Sequence, residues 1–188
     1  FISHFDDDHI NGIPFLLKYC HVKNLFFPFI TTEEIILHQL SSLISNGENG
    51  VAYNFLRNPY SYFEKLGLEE KPRLYQVYPS EEENKENSND FNKLDAQIIY
   101  SGNDVSHHIF DESKVKNKSL SNWEFVPYNF RSSLRAKQFE AELKSKLHIY
   151  SIPHGESLVE LYKNHKDAVK KALAAVPGSN NTNSMVLF

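Results

Sequence analysis

The sequence predicts an α/β domain, on three observations. Apolar runs of strand length, such as VKNLFFPFI (22–30), alternate with amphipathic stretches of helical period. Turn-forming clusters such as NGENG (46–50) separate the two kinds. Hydrophobic residues make up 40% of the 188 positions and aromatics 13%, enough for one domain with a substantial core.

In chain order, an apolar stub ends near Ile2 or Ser3, and a polar turn then feeds a helix over 13–19 that opens near Asn11 or Gly12. Residues 22–30 form a buried strand that Pro28 stops. TTEEIILHQLSSLIS begins with a capping box, Thr31 with Glu34, and carries an apolar stripe at Ile36, Leu40, Leu43 and Ile44. Residues 51–67 are aromatic-rich and broken by Asn58-Pro59, which predicts short helices. Strands follow at 73–79, 96–102 and 123–129. LRAKQFEAELKSKL (134–147) is an exposed helix supported by the Glu140/Lys144 pair. Leu158, Leu161, Tyr162, His165, Val169 and Ala172 mark one face of a helix or helix pair, and a last strand closes on MVLF.

Bulk charge bounds the partners. The net charge of −4 argues against a surface that coats nucleic acid, yet SEEENKENSND (80–90) alone carries five acids against one lysine. The remainder is near neutral, so a nucleic-acid substrate is permitted. The tract itself predicts a mobile acidic loop over 80–92. The single cysteine, Cys20, excludes an internal disulfide and a multi-cysteine zinc site, which sets a cytoplasmic location as the default. No apolar run reaches the ~20 residues of a bilayer span. The chain opens on Phe1 and is expected to be an excised piece of something longer.

FISHFDDDHINGI concentrates His4, Asp6, Asp7, Asp8 and His9 in one short run between apolar segments. His4 and Asp6 stand two apart and share a side of an extended stretch, while Asp8 and His9 open a helix. Two imidazoles and two carboxylates converging on one spot suit one or two divalent cations. A helix dipole accounts for Asp7 and Asp8 but not for the histidines. A calcium loop starting at Asp7 fails, because Lys18 falls where its bidentate acid is due.

The run His4-Phe5-Asp6-Asp7-Asp8-His9 resembles the signature loop of the metallo-β-lactamase fold hydrolases, H-x-H-x-D-H. Asp6 departs from the majority pattern and matches the H-x-D-x-D-H version of the ComEC-like branch. NNTNSMVLF (180–188) is similar to a segment of that branch. The resemblance implies a partial αββα sandwich with an elaborated, partly helical insertion over 46–129. It also implies a metal-dependent hydrolase with zinc or manganese, acting on phosphodiesters or nucleic acid. His4 and Asp6 would hold a first metal, and Asp8 and His9 a second, with Asp8 also orienting the attacking water. The family's other ligands have no place in this chain. The alternative is a decayed module of the same fold, binding a protein partner through the insertion.

The other histidines and Cys20 have simpler expectations. IPHG (152–155) echoes the family's other histidine loop in scrambled order, which makes His154 an additional candidate ligand. His107-His108 predicts a polar surface loop, His38 a half-buried packing residue, and His165 an interior histidine. His21 is placed against a helix C-terminus, and Cys20 is expected to be a buried thiol. NWEFVPYNFRSS (122–133) could stack nucleic acid, but a core strand running into a turn accounts for it better.

Overall fold

The computed structural model describes residues 1–79, 94–109, 124–130, 134–177 and 185–188. The acidic tract at 80–92, Trp123, residues 131–133 and most of the Asn-rich segment before Met185 lie outside them. The architecture is mixed α/β, as the alternating pattern predicts. Its elements are α1 (Asp7–Ile10), α2 (Ile13–Tyr19), β1 (Asn24–Pro28), α3 (Thr32–Asn46), α4 (Val51–Arg57), α5 (Pro59–Lys65), β2 (Arg73–Tyr78) and β3 (Gln97–Tyr100). They continue with α6 (Ser106–Ile109), β4 (Pro127–Asn129), α7 (Leu134–Leu147), α8 (Glu156–Asn164), α9 (Lys166–Ala175) and β5 (Met185–Leu187).

β1, β2 and β3 form a parallel sheet in that order, and β4 pairs antiparallel with β5. The stretch 46–129 supplies the central strand β2, so it is built into the sheet. Parallel strands are covered on both faces. Here alternation sends Leu25, Phe27 and Leu74 to one core and Phe26, Tyr75 and Val77 to another. Phe26 stacks on its cross-strand neighbour Tyr75 at 4.8 Å.

α3 is the hub. The capping box forms as expected: the Glu34 amide donates to Thr31 Oγ1 at 3.4 Å, and the Thr31 amide donates to Glu34 Oε2 at 2.6 Å. Every residue from Glu34 to Leu40 is buried, because Ile35 faces the sheet-side core while Ile36, Leu37, Leu40 and Leu43 face a helical core. α7, α8 and α9 complete that helical core through Phe139, Leu143, Leu158 and Val169. Thr31→Ala is expected to cost about 1 kcal/mol in urea unfolding by removing one half of the box.

Asn58 ends α4 and caps α5, its side chain accepting from the Ser61 amide at 2.9 Å, with Pro59 at the first helical position. The Glu140/Lys144 pair forms at 2.6 Å. Asn129 fastens β4 to the main sheet by donating to the carbonyls of Val77 at 2.8 Å and Phe29 at 3.4 Å. β4 is thus part core and part edge, with Asn129 buried and Tyr128 and Phe130 exposed.

Several expectations are corrected. Cys20 is exposed, because α2 ends there and the extended backbone turns its side chain outward. His21 is exposed and lies 3.5 Å from Glu70 Oε2, so a carboxylate rather than a helix terminus faces it. His165 is exposed too: it is the break between α8 and α9, off the apolar face that Leu158 and Val169 continue. His38 is not half-buried but buried outright. His107 and His108 stand on the short helix α6 and not in a loop, with His108 packed 4.6 Å from the Tyr75 ring.

Candidate metal centre

The acid-histidine run is positioned by backbone first. Lys23 and Phe29 bond across to Arg73 and Val77, so odd-numbered residues of this stretch turn toward β2. Phe26 therefore turns its carbonyl away from β2, where it accepts from the Ile2 amide at 2.8 Å. On the next residue, the Ser3 carbonyl accepts from the Met185 amide at 2.8 Å. The chain start is thereby held between β1 and β5. It then turns at Asp6, whose carbonyl accepts from the amides of His9 at 2.9 Å and Ile10 at 3.0 Å to form α1. Phe5 and Ile10, both fully buried, pin either side of the turn.

This turn brings together His4, Asp8 and His9, whose ligand atoms all lie within 4.8 Å of one another. The rings of His4 and His9 sit 3.8 Å apart, and Asp8 Oδ2 is 3.4 Å from His9 Nε2. Ser3 Oγ lies 3.0 Å from His4 Nδ1 and 3.5 Å from His9 Nδ1. One hydroxyl thus orients both rings and leaves their Nε2 atoms for a ligand. His4 is buried, while Asp8 and His9 face solvent, so the group is anchored on one side and open on the other.

Asp6 takes a different direction. Its carboxylate faces the buried imidazole of His38, Oδ1 to Nδ1, at 4.0 Å. Asp7 accepts from Ser42 Oγ at 3.5 Å, which ties the turn to α3. Ser42 is itself packed against Gly50, where a Cβ would collide with the hydroxyl. His154 lies exposed in the loop before α8, outside the group formed by His4, Asp8 and His9.

Burial dominates the electrostatics. The His4 pKa is lowered chiefly by desolvation and then by His9, against the opposing pull of Asp6 and Asp8. That of His38 is pushed down to about 4 by burial, with Arg135 and His4 adding to the effect. Both rings are therefore neutral near pH 7, the form that offers a lone pair. His4 Nε2 is buried with no hydrogen-bond partner among the described residues. A buried orphan nitrogen costs stability unless something binds it, and a divalent cation held by two imidazoles and a carboxylate would do so. The donor set could hold a divalent cation.

His38, Arg135, Ser3 and Ser42 are the participants that sequence reasoning missed. α3 carries Glu34, His38, Gln39 and Ser42 among its buried residues and must satisfy them internally, but that burial is not visible in the local sequence. No local pattern marks Arg135.

No protein-family model, no curated protein and no solved structure matches the chain. Among the described residues no helix is long and apolar enough to cross a membrane.

Proposed function

We propose that this chain is a metal-dependent hydrolase of phosphodiesters, with nucleic acid as one candidate substrate, and that its fold is of the metallo-β-lactamase type. The observation that carries the reading is the convergence of His4, Asp8 and His9 within 4.8 Å around an orphaned, buried imidazole nitrogen. The order of the elements, an extended stub, then a polar turn, then helix, supports the fold assignment.

His4 would supply the buried ligand nitrogen, and His9 and Asp8 the two exposed donors. The ion they hold would supply Lewis-acid chemistry, polarising a scissile phosphoryl group and lowering the pKa of water. Asp8, exposed at the rim, would accept a proton from the attacking water and orient it. Phe5 and Ile10 keep the floor of the site dry. Asp6 would join through the His38 side of the site, as ligand or as ligand support.

The test couples metal analysis to hydrolysis of a chromogenic phosphodiester. The intact protein is expected to take up zinc or manganese and to hydrolyse the ester. The double variant His4→Ala/Asp8→Ala is expected to lose both while keeping its circular dichroism. Hydrolysis undiminished in that variant, or in chelator-treated wild type, would contradict the reading.

A further inference from the structure

A cleft of about 770 Å³ opens where β1 and β2 begin, and none of its lining residues belongs to the His4-Asp8-His9 group. Arg73, the first residue of β2, donates its amide to the Lys23 carbonyl at 2.8 Å, which sets Lys23 and Arg73 side by side. Asn24 pairs in register with Arg73, as Phe26 does with Tyr75. Strand alternation therefore gives Asn24 and Arg73 the face that Phe26 and Tyr75 present. α6 lies against that face. The His108 ring is 4.6 Å from Tyr75 and 6.2 Å from Phe26, and the His108 carbonyl accepts from Asn24 Nδ2. The His107 ring, 3.8 Å from that of His108, extends the wall of the cleft. From this arrangement we infer that the cleft binds the phosphate group of a small phosphorylated molecule, held by Arg73 and Lys23.

The charge balance favours such a ligand. The lining holds three permanent cations, Lys23, Lys71 and Arg73, against one carboxylate, Glu70. Lys71 is engaged by Glu64 at 2.6 Å, and Glu70 lies 3.5 Å from His21 Nε2. Among the described residues no carboxylate forms an ion pair with Lys23 or Arg73. Two like charges set side by side repel one another until an anion joins them, and a phosphate monoester carries close to two negative charges at pH 7. A guanidinium matches phosphate oxygens in pairs, while an ammonium serves as a point charge. The His108 pKa is lowered by burial, then by His107 and Arg73, so its ring is neutral near pH 7 and still offers one N–H to a phosphate oxygen. The cleft has the volume of a small-molecule site, more than a phosphate alone needs. Val22 and Ile109 supply apolar wall for the rest of the ligand.

The site stands apart from the hydrolase reading, and so does its test. Inorganic phosphate is titrated into the chelated protein at constant ionic strength, and the histidine Cε1–H signals are followed by NMR. Saturable shifts of His107 and His108 are expected, with the exposed His165 unmoved. Arg73→Gln is expected to weaken binding by about tenfold or more, the loss of a charge-assisted contact. Lys23→Gln should weaken it by a smaller factor. Both residues are exposed, and both substitutions keep the backbone bond between the strands. If Arg73→Gln fails to fold, Lys23→Gln carries the test. Lys170→Gln, which removes an exposed cation from α9, should bind as wild type does. Acetate, a monoanion, should bind more weakly than phosphate. Shifts that do not saturate, an undiminished Arg73→Gln, an equal loss in Lys170→Gln, or acetate bound as tightly as phosphate overturns the inference. Arg73-dependent phosphate binding by a chain that takes up no metal upholds this site and counts against the hydrolase reading alone.

Discussion

Phe5→Ala is expected to destabilise the protein by about 3–5 kcal/mol, a fall in melting temperature on the order of 10 °C. Phe5 is fully buried, and its ring sits 5.9 Å from each of Phe27, His38 and Phe55, centroid to centroid. It therefore links β1, α3 and α4 at one point. The same residue stands between His4 and Asp6, so the cavity left by its ring opens directly beneath the site. Metal affinity should fall along with stability. Phe5→Leu, which keeps most of the apolar volume, should recover a large part of both. Thermal unfolding with and without manganese checks the prediction, and a stable alanine variant with wild-type metal affinity would contradict it.

Acid should unfold the protein through His38. Its folded pKa lies near 4, against about 6.5 in an unfolded chain, because the buried imidazole resists the proton. The sign follows: below pH 6.5 the unfolded chain takes up a proton that the folded chain refuses. The stability associated with neutral His38 is thus complete above pH 6.5 and is lost as pH falls toward 4, by about 3 kcal/mol at that point. The groups facing the ring are Arg135 and His4, which disfavour its protonation, and Asp6, whose carboxylate is 4.0 Å away. Urea unfolding of the chelated protein between pH 7 and pH 4.5 is the check. His38→Leu should flatten the acid limb relative to wild type, and parallel limbs would contradict the assignment.

What could be read from the sequence was what depends on local chemistry. The capping box of α3 is fixed by two residues three positions apart, and β1 by an apolar run between breakers, so both occur where the pattern places them. The clustering of His4, Asp8 and His9 is likewise local: they fall within a single turn, so their proximity needs no tertiary information. What could not be read depends on packing between distant segments. His38 looked like an ordinary helical histidine because nothing nearby in sequence shows that α3 is enclosed on every side. Strand alternation groups Asp6 with His4, whereas its carboxylate faces His38. Helical periodicity places His165 inside, but it fails at the break between α8 and α9.

The proposed activity requires that His4, Asp8 and His9 form a cation site. Equilibrium titration of the chelated protein with manganese and with zinc, read by calorimetry, tests it most directly. Saturable uptake by wild type, lost in His4→Ala and strongly weakened in His9→Ala with the fold intact, is the predicted result. A wild type that binds neither ion, or a His4→Ala variant that binds as wild type does, would contradict it.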